Sequence, residues 1–156
     1  WASKGKSLLE HLNDMYKEYG LFEDRAISKY FPGVQGPKIM GGIMTKLRTE
    51  GLTSLGGKKV IKIRDIQQQV AFDPANPSSK ENLPWPKSNV LQFILEGGTI
   101  VSARPSGTEP KIKFYINSTV PVSAKTDEAL EEAKKAADKL CSDISEEINA
   151  VLNAAG

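Results

Sequence analysis

The sequence is poor in cysteine and histidine, with one residue of each, Cys141 and His11, among its 156 residues. A single cysteine excludes an intramolecular disulfide and a metal site built from several thiolates, and it fits a reducing compartment. No apolar run approaches the roughly 18 residues of a membrane-spanning helix, and the first residues contain no apolar segment of signal-peptide length. We therefore expect a cytoplasmic protein with no membrane partner.

The chain also lacks a strong excess of charge of either sign. Its 21 Lys and Arg residues nearly balance 19 Asp and Glu residues, for a net charge of +2. Bulk electrostatic binding to nucleic acid usually needs a strongly basic domain, so any anion site here should be local. Apolar residues at 39% and charged residues at 26% are typical of a globular chain, and the length favours one domain. Because Trp1 stands where a Met would open a complete protein, we expect a fragment of a longer chain.

Apolar residues recur at helical spacing in three segments, 7–20, 37–51 and 126–151. Ser7 can open the first helix with a capping box, and Thr126 can cap the third. The apolar residues that define the three stripes are Leu8, Leu9, Leu12, Met15, Tyr16, Tyr19; Ile39, Met40, Ile43, Met44, Leu47; and Leu130, Ala133, Ala137, Leu140, Ile144, Ile148, Val151.

Three features of these helices have plain structural interpretations. The pair Gly41-Gly42 costs helix stability, about 1 kcal/mol each, and favours close packing of the second helix on a sheet over contact with a ligand. Cys141 lies beside an apolar stripe and is interpreted as a buried small residue rather than a nucleophile. His11 has no Ser, Cys or carboxylate partner at motif spacing, which favours a surface or packing role.

Alternation of apolar and polar residues predicts strands between the helices. The segment 72–88, with four prolines, is predicted to be a loop, and Gly97-Gly98 a tight hairpin. The sum is an α+β domain in which a mainly antiparallel sheet of four or five strands carries helices on one face. The predicted strands are a short one at 25–31, one around Ile61 and Ile63, and those at 91–95, 99–104 and 111–116.

The connection between the last two strands carries the chemistry. Arg104 offers a planar pair of donors that matches two phosphate oxygens, and Lys113 adds a charge from the next strand. Gly107 has no Cβ, so its N–H can approach a ligand closely and it can take a positive φ. Ser106 and Thr108 add hydroxyl donors, so the group as a whole suits a dianion.

The rest of this loop has a structural part in the prediction. Pro105 and Pro110 stiffen its ends, which reduces the entropy lost when it grips a ligand. Lys111 shares a strand face with Lys113. Glu109 does not suit a phosphate and is expected to fix the loop by pairing with a cation or accepting backbone N–H groups. Composition alone leaves a plain surface turn open, because any turn uses Ser, Gly, Thr and Pro.

The string RPSGTEPKIKFY, residues 104–115, closely resembles the phosphate-binding loop of the α-D-phosphohexomutases, the phosphoglucomutase and phosphomannomutase family. The segments SNVLQFILEGGTIVSA and KIMGGIMTKLR are similar to the hairpin and the helix that precede this loop in the family. The resemblance implies a fold like half of the TATA-box-binding protein. It also implies that residues 21–156 are the C-terminal, fourth domain, and that residues 1–20 are a connecting helix from the preceding domain.

The same resemblance implies that Arg104, Ser106, Gly107 and Thr108 hold the phosphate of a hexose phosphate, glucose or mannose 1- or 6-phosphate, and that Lys113 joins them. The family's phosphoserine stretch and its magnesium loop are missing, because no Ser-His pair and no Asp-x-Asp spacing occurs. We therefore expect no cofactor in this fragment, Mg²⁺ in the full-length enzyme, other domains of the same chain as partners, and no phosphoryl transfer by the fragment alone.

Four alternatives remain open beside this interpretation. GKSLL at 5–9 is similar to the end of a Walker A loop, but the required glycine would precede residue 1, and GLTSLGGKK has Gly57 where lysine belongs. A nucleic-acid module would use the basic residues Lys58, Lys59, Lys62 and Arg64, for which a solvated strand face is the simpler explanation. A phosphopentomutase or phosphoglucosamine mutase domain would keep the loop but serve another sugar. The fragment could also bind nothing measurable alone, since a single phosphate clamp without the other domains reaches only millimolar affinity, about 4 kcal/mol.

Overall fold

The computed structural model describes residues 5–154, so residues 1–4 of the predicted connecting segment and the terminal residues 155–156 lie outside it. Three helices are present in the described range, and the predicted segments are confirmed. Their bounds are α1 Leu8–Tyr19, α2 Gly36–Thr49 and α3 Asp127–Asn153.

Within residues 5–154 the strands form a single eight-stranded sheet, in which every pairing is antiparallel. The order is β1-β8-β7-β6-β3-β4-β5, and β2 pairs with β3 beside this path. The α+β, mainly antiparallel prediction is confirmed, although the sheet has more strands than the four or five expected. The strands are β1 Leu21–Tyr30, β2 Ser54–Leu55, β3 Lys58–Asp65, β4 Val70–Asp73, β5 Asn76–Asn82, β6 Leu91–Leu95, β7 Ile100–Pro105 and β8 Lys111–Val120.

The ends of the helices follow from local hydrogen bonding. The hydroxyl of Ser7 accepts from the N–H of Glu10 at 3.2 Å, and the Glu10 carboxylate accepts from the Ser7 N–H at 2.7 Å, which completes the predicted capping box. Thr126 accepts from the N–H of Ala129 at 3.2 Å and so caps α3 as predicted. These caps fix where α1 and α3 enter the fold.

The core lies between one face of the sheet and the helices α2 and α3. Phe93 of β6 and Phe114 of β8 are at its centre, and Cys141 of α3 is fully buried, as predicted. On α3, Leu140 is only half-buried, whereas Leu152 takes a fully buried place. Because α2 and α3 cover this face, the opposite face of β8 and β7 stays open for polar side chains.

The segment predicted as the loop 72–88 is partly wrong, because Asn76–Asn82 form strand β5. Every residue of β5 is exposed, so the local sequence shows no apolar alternation. The strand exists through its ladder to β4, with Val70 opposite Asn82 and Ala71 opposite Glu81. Pro77 is tolerated because β5 is an edge strand.

The alternation of apolar and polar residues predicts that Ile61 and Ile63 face the same side of their strand. An irregularity in β3 places them on different sides. Val60 pairs with Leu95 and Lys62 with Ile94, so Ile61 is an extra residue in the ladder. Beyond such a bulge the side chains that face the core change parity. Ile61 is therefore 43% exposed, and Val60 and Ile63 are the buried apolar residues of this strand.

The predicted close packing of Gly41-Gly42 is also wrong. A Cβ at either position would have no heavy atom within 4 Å, because both glycines lie on the exposed side of α2. The closely packed glycine of α2 is Gly36, where a Cβ would lie 1.9 Å from the carbonyl oxygen of Phe31 and 3.1 Å from Cβ of Pro110. The start of α2 is thus fitted tightly against the end of β1 and the loop that precedes β8.

Candidate functional site

A polar cavity lies where β7 ends and β8 begins, on the face of the sheet that the helices leave uncovered. Its volume is about 370 Å³. All five residues predicted to bind phosphate line it. The complete lining is Arg104, Pro105, Ser106, Gly107, Thr108, Glu109, Lys111, Lys113 and Tyr115.

The two predicted cations face each other across the strands. Arg104 of β7 and Lys113 of β8 are direct partners in the antiparallel register. Their neighbours Ala103 and Phe114 are buried, so Arg104 and Lys113 point away from the core. Within residues 5–154 neither side chain has an ion pair or a hydrogen bond. Like charges placed opposite each other in a sheet are destabilising, so this pair favours the arrival of an anion.

The tip of the loop leaves several donors available. The hydroxyl of Ser106 accepts only long hydrogen bonds, from the N–H of Thr108 at 3.4 Å and of Glu109 at 3.3 Å. Gly107 donates its N–H to no acceptor in the part of the chain described, and the space where its Cβ would lie is open. Its φ is not in the left-handed region, so the positive φ that a glycine permits is not used here.

Glu109 also lines the cavity, where neighbouring side chains hold it, as predicted for a residue that fixes the loop. Its carboxylate forms an ion pair with Lys111 at 2.5 Å and accepts a hydrogen bond from the hydroxyl of Tyr30 at 2.6 Å. Lys111, and then Tyr30, lower the pKa of Glu109, whereas Glu109 raises the pKa of both Lys111 and Tyr30. Each group therefore keeps one protonation state near neutral pH.

Tyr30 is the residue of this hydrogen-bonded group that was not predicted from the sequence. It is the last residue of β1 and the direct partner of Lys111 in the ladder between β1 and β8. The strand was predicted near this position, but nothing local indicates which distant strand pairs with it. The next residue, Phe31, donates its N–H to the carbonyl of Pro110 at 2.7 Å, so the end of β1 also supports the loop through the main chain.

The basic residues of β3 are partly engaged within the protein. Lys62 forms an ion pair with Glu81 of β5 at 3.1 Å. The guanidinium carbon of Arg64 lies 5.5 Å from the ring centroid of Trp85, a cation–π distance. Two of the four cations that suggested a nucleic-acid surface therefore have an intramolecular explanation.

Two further observations concern metal ions and membranes. In the described range no three His, Cys, Asp or Glu side chains are grouped so that they could hold a metal ion. None of the helices α1, α2 and α3, as far as they are described, is long and apolar enough to cross a lipid bilayer.

A second cavity, of about 450 Å³, lies between the carboxyl ends of α2 and α3 and is mainly apolar. Ile43 and Leu47 of α2 face Ala150 and Val151 of α3 across it. It has no lining residue in common with the polar cavity at the end of β7. The five residues predicted to bind phosphate therefore line the polar cavity and not this second one.

Comparison with known proteins adds independent information. Residues 46–136, which include the whole polar loop, match the family described as "Phosphoglucomutase/phosphomannomutase, C-terminal domain". The chain is 38% identical over 116 residues to a phosphoglucomutase of Staphylococcus saprophyticus, and 36% identical over 115 residues to one of Staphylococcus epidermidis; each alignment covers 74% of this chain and 21% of the relative. A phosphoglucomutase of Staphylococcus haemolyticus is 32% identical over 118 residues, 76% of this chain and 21% of its own. The chain thus spans about a fifth of the length of these relatives.

Proposed function

This chain belongs to the phosphoglucomutase/phosphomannomutase family as a C-terminal domain, and on that premise we propose that it holds the phosphate of a hexose phosphate. The substrate is glucose or mannose 1- or 6-phosphate, and the larger enzyme moves a phosphoryl group between the two positions. Residues 21–156 form the phosphate-binding domain in this proposal, and residues 1–20 connect it to the domain before it.

The observation that carries the proposal is the facing pair Arg104 and Lys113. Two cations without partners in the described range, in direct register, line one cavity with the free N–H of Gly107 and the hydroxyl of Thr108. A phosphate dianion removes the repulsion between the cations and satisfies their donors. Charged hydrogen bonds of this kind contribute about 1.5–3 kcal/mol each, which makes a phosphate a better ligand than a neutral sugar hydroxyl.

The chemistry of the loop explains how one site could serve both ends of the sugar. Arg104 can present two parallel N–H donors to two phosphate oxygens, and Lys113 adds a compact charge. The Ser106 hydroxyl, whose present hydrogen bonds are long, can turn towards a third oxygen. Because all of these contacts are with phosphate, the sugar could bind in either direction and keep the same grip.

The reacting groups belong elsewhere in this proposal. Phosphoryl transfer needs an aligned donor and a metal to offset the developing charge, and the described residues fit no metal ion. Mg²⁺, expected for the full-length enzyme, supplies such charge neutralisation when bound. We propose that the chain alone positions substrate and is inactive as a mutase.

A reducing, cytoplasmic location is part of the same proposal. Cys141 is a free thiol with no exposed surface, and its burial raises its pKa. A protonated, enclosed thiol is inert towards oxidation.

The test is a titration of the ¹⁵N-labelled 156-residue chain with inorganic phosphate and with glucose 6-phosphate. We expect the amides of residues 106–109 to shift first, with a Kd near 1 mM, about 4 kcal/mol. Arg104→Ala should weaken binding at least tenfold, and Arg104→Lys should recover only part of the loss because the two-pronged donor is absent.

Lys58→Ala is the matched control for charge, because Lys58 is an exposed cation of β3 that lies outside the cavity. It should bind phosphate as the unaltered chain does. Shifts confined to other parts of the chain, or an Arg104→Ala variant that binds normally, would contradict the proposal.

A further inference from the structure

The second half of the loop is held by a closed network of three side chains, Tyr30, Glu109 and Lys111. One oxygen of the Glu109 carboxylate accepts from the Tyr30 hydroxyl at 2.6 Å, and the other pairs with Lys111 at 2.5 Å. The ammonium of Lys111 lies 5.6 Å from the ring centroid of Tyr30, which closes the network. The network thereby joins the loop to the first residue of β8 and to the last residue of β1.

The main chain reinforces the same half of the loop. Phe31 donates to the carbonyl of Pro110 at 2.7 Å, and Lys111 donates to the carbonyl of Glu109 at 2.7 Å. At the start of the loop, Ser106 donates to the carbonyl of Lys111 at 2.9 Å. Between these anchors, only the long hydrogen bonds to the Ser106 hydroxyl hold the tip. The direction of the free donors therefore depends on how firmly Glu109 is fixed.

The network also sets the charge of the cavity. An unpaired Glu109 carboxylate would repel a phosphate bound beside it, and its ion pair with Lys111 removes that repulsion. Of the three cations that line the cavity, Lys111 is thus neutralised, and Arg104 and Lys113 remain for the ligand. No other carboxylate lines the cavity in the described range.

We propose that Tyr30 and Glu109 are positioning residues of the phosphate loop: Tyr30 clamps the Glu109 carboxylate onto Lys111 and so aims the donors of residues 106–108 at the ligand. Neither residue touches the phosphate. The inference rests on the proposed phosphate site and adds a device outside the loop, supplied by strand β1. The lowered pKa of Glu109 agrees with it, since the carboxylate stays ionised to a lower pH than an ordinary glutamate.

Tyr30→Phe is the direct test, because it removes only the hydroxyl. In the ¹⁵N-labelled 156-residue chain we expect the Kd for inorganic phosphate and for glucose 6-phosphate to rise about three- to tenfold, with the thermal midpoint unchanged. Tyr19→Phe is the matched control, since Tyr19 of α1 is 72% exposed and lies outside the cavity. It should leave the Kd as it was.

Two readouts separate positioning from a general loss of structure. The pKa of Glu109, followed by carbon NMR of its carboxyl group, should rise towards the ordinary value in Tyr30→Phe, because one of the groups that lowers it is gone. Glu109→Gln removes the clamp and also frees Lys111 as a third cation, so the informative comparison is within that background. There, Tyr30→Phe should change the Kd little further, because both residues act through the same contact.

The outcomes are distinct for the two proposals. If Tyr30→Phe binds phosphate normally while Arg104→Ala does not, the positioning role is wrong and the phosphate site stands. If Tyr30→Phe raises the Kd as much in the Glu109→Gln background as in the unaltered chain, the shared network is wrong. If the unaltered chain binds no phosphate, or Arg104→Ala binds normally, the proposed function fails and this inference fails with it.

Discussion

The inner and outer sides of strand β8 share one backbone and differ in almost everything else. Ile112 and Phe114 point inward and have at most 1% of their surface exposed, in contact with the core beneath α2 and α3. Lys111 and Lys113 alternate with them and line the polar cavity. Because side chains alternate along a strand, the core contacts lie on one side of β8 and the proposed phosphate site lies on the other. Substitutions at adjacent positions should therefore have effects of different kinds.

The largest expected effect is on the inner side. Phe114→Ala should reduce the free energy of unfolding by about 3–5 kcal/mol, because it removes a buried ring and leaves a cavity. Urea unfolding followed by circular dichroism measures the change. The adjacent Lys113→Ala should alter stability by less than about 0.5 kcal/mol and should weaken phosphate binding. A similar loss of stability in both variants would contradict the division of β8 into a core side and a binding side.

Gly36→Ala should affect both stability and binding, because this glycine begins the core helix α2 and lies against Pro110 of the loop. A Cβ would lie 1.9 Å from a backbone oxygen, so the start of α2 or the segment around Pro110 must move. We expect a loss of about 1–3 kcal/mol in stability, as for other overpacked sites, together with weaker phosphate binding.

Gly41→Ala in the same helix is the control for Gly36→Ala. Its Cβ would meet open space, and replacing an exposed helical glycine should raise stability by about 1 kcal/mol. Unfolding curves and phosphate titrations of the two variants compare them directly. Equal stability and equal phosphate binding in the two variants would show that Gly36 does not support the loop.

The smallest expected effect is at Ile61, an apolar residue that the bulge turns outward. Ile61→Thr should change the free energy of unfolding by less than about 0.5 kcal/mol, as is usual on a surface. Ile63→Thr, two residues away in the same strand, should cost several times more, because Ile63 is buried and would bring a hydroxyl into the core. Chemical unfolding of the pair tests whether the bulge decides which residue is inside.

Periodicity predicted the elements whose own side chains meet the core. The helices α2 and α3 and the alternation in β8 were predicted for this reason, because burial leaves a period in the sequence. Helix α1 has the same period, although none of its residues is buried. Strand β5 was missed because its seven residues are all exposed and its order comes from the ladder to β4. The bulge at Ile61 was missed for a related reason, since a one-residue insertion appears only in the pairing.

The residues of the candidate site were predicted from one contiguous segment, and the structure brings them together in one cavity. Arg104 and Lys113 come from either side of a short loop, so their proximity follows from the hairpin alone. Tyr30 is different, because its contact with Glu109 depends on the pairing of β1 with β8. No property of Tyr30 in the sequence indicates that pairing, and so the network had to be read from the fold.

The position of β1 in the sheet has a consequence for the order of events during synthesis. This strand stands at one edge and its ladder is formed only with β8, which follows α2 and six further strands along the chain. A nascent chain must therefore carry an unpaired ten-residue strand until residue 120 has left the ribosome, and such distant pairings close slowly. The proposed phosphate site, which Tyr30 at the end of β1 supports, can form only at that late stage.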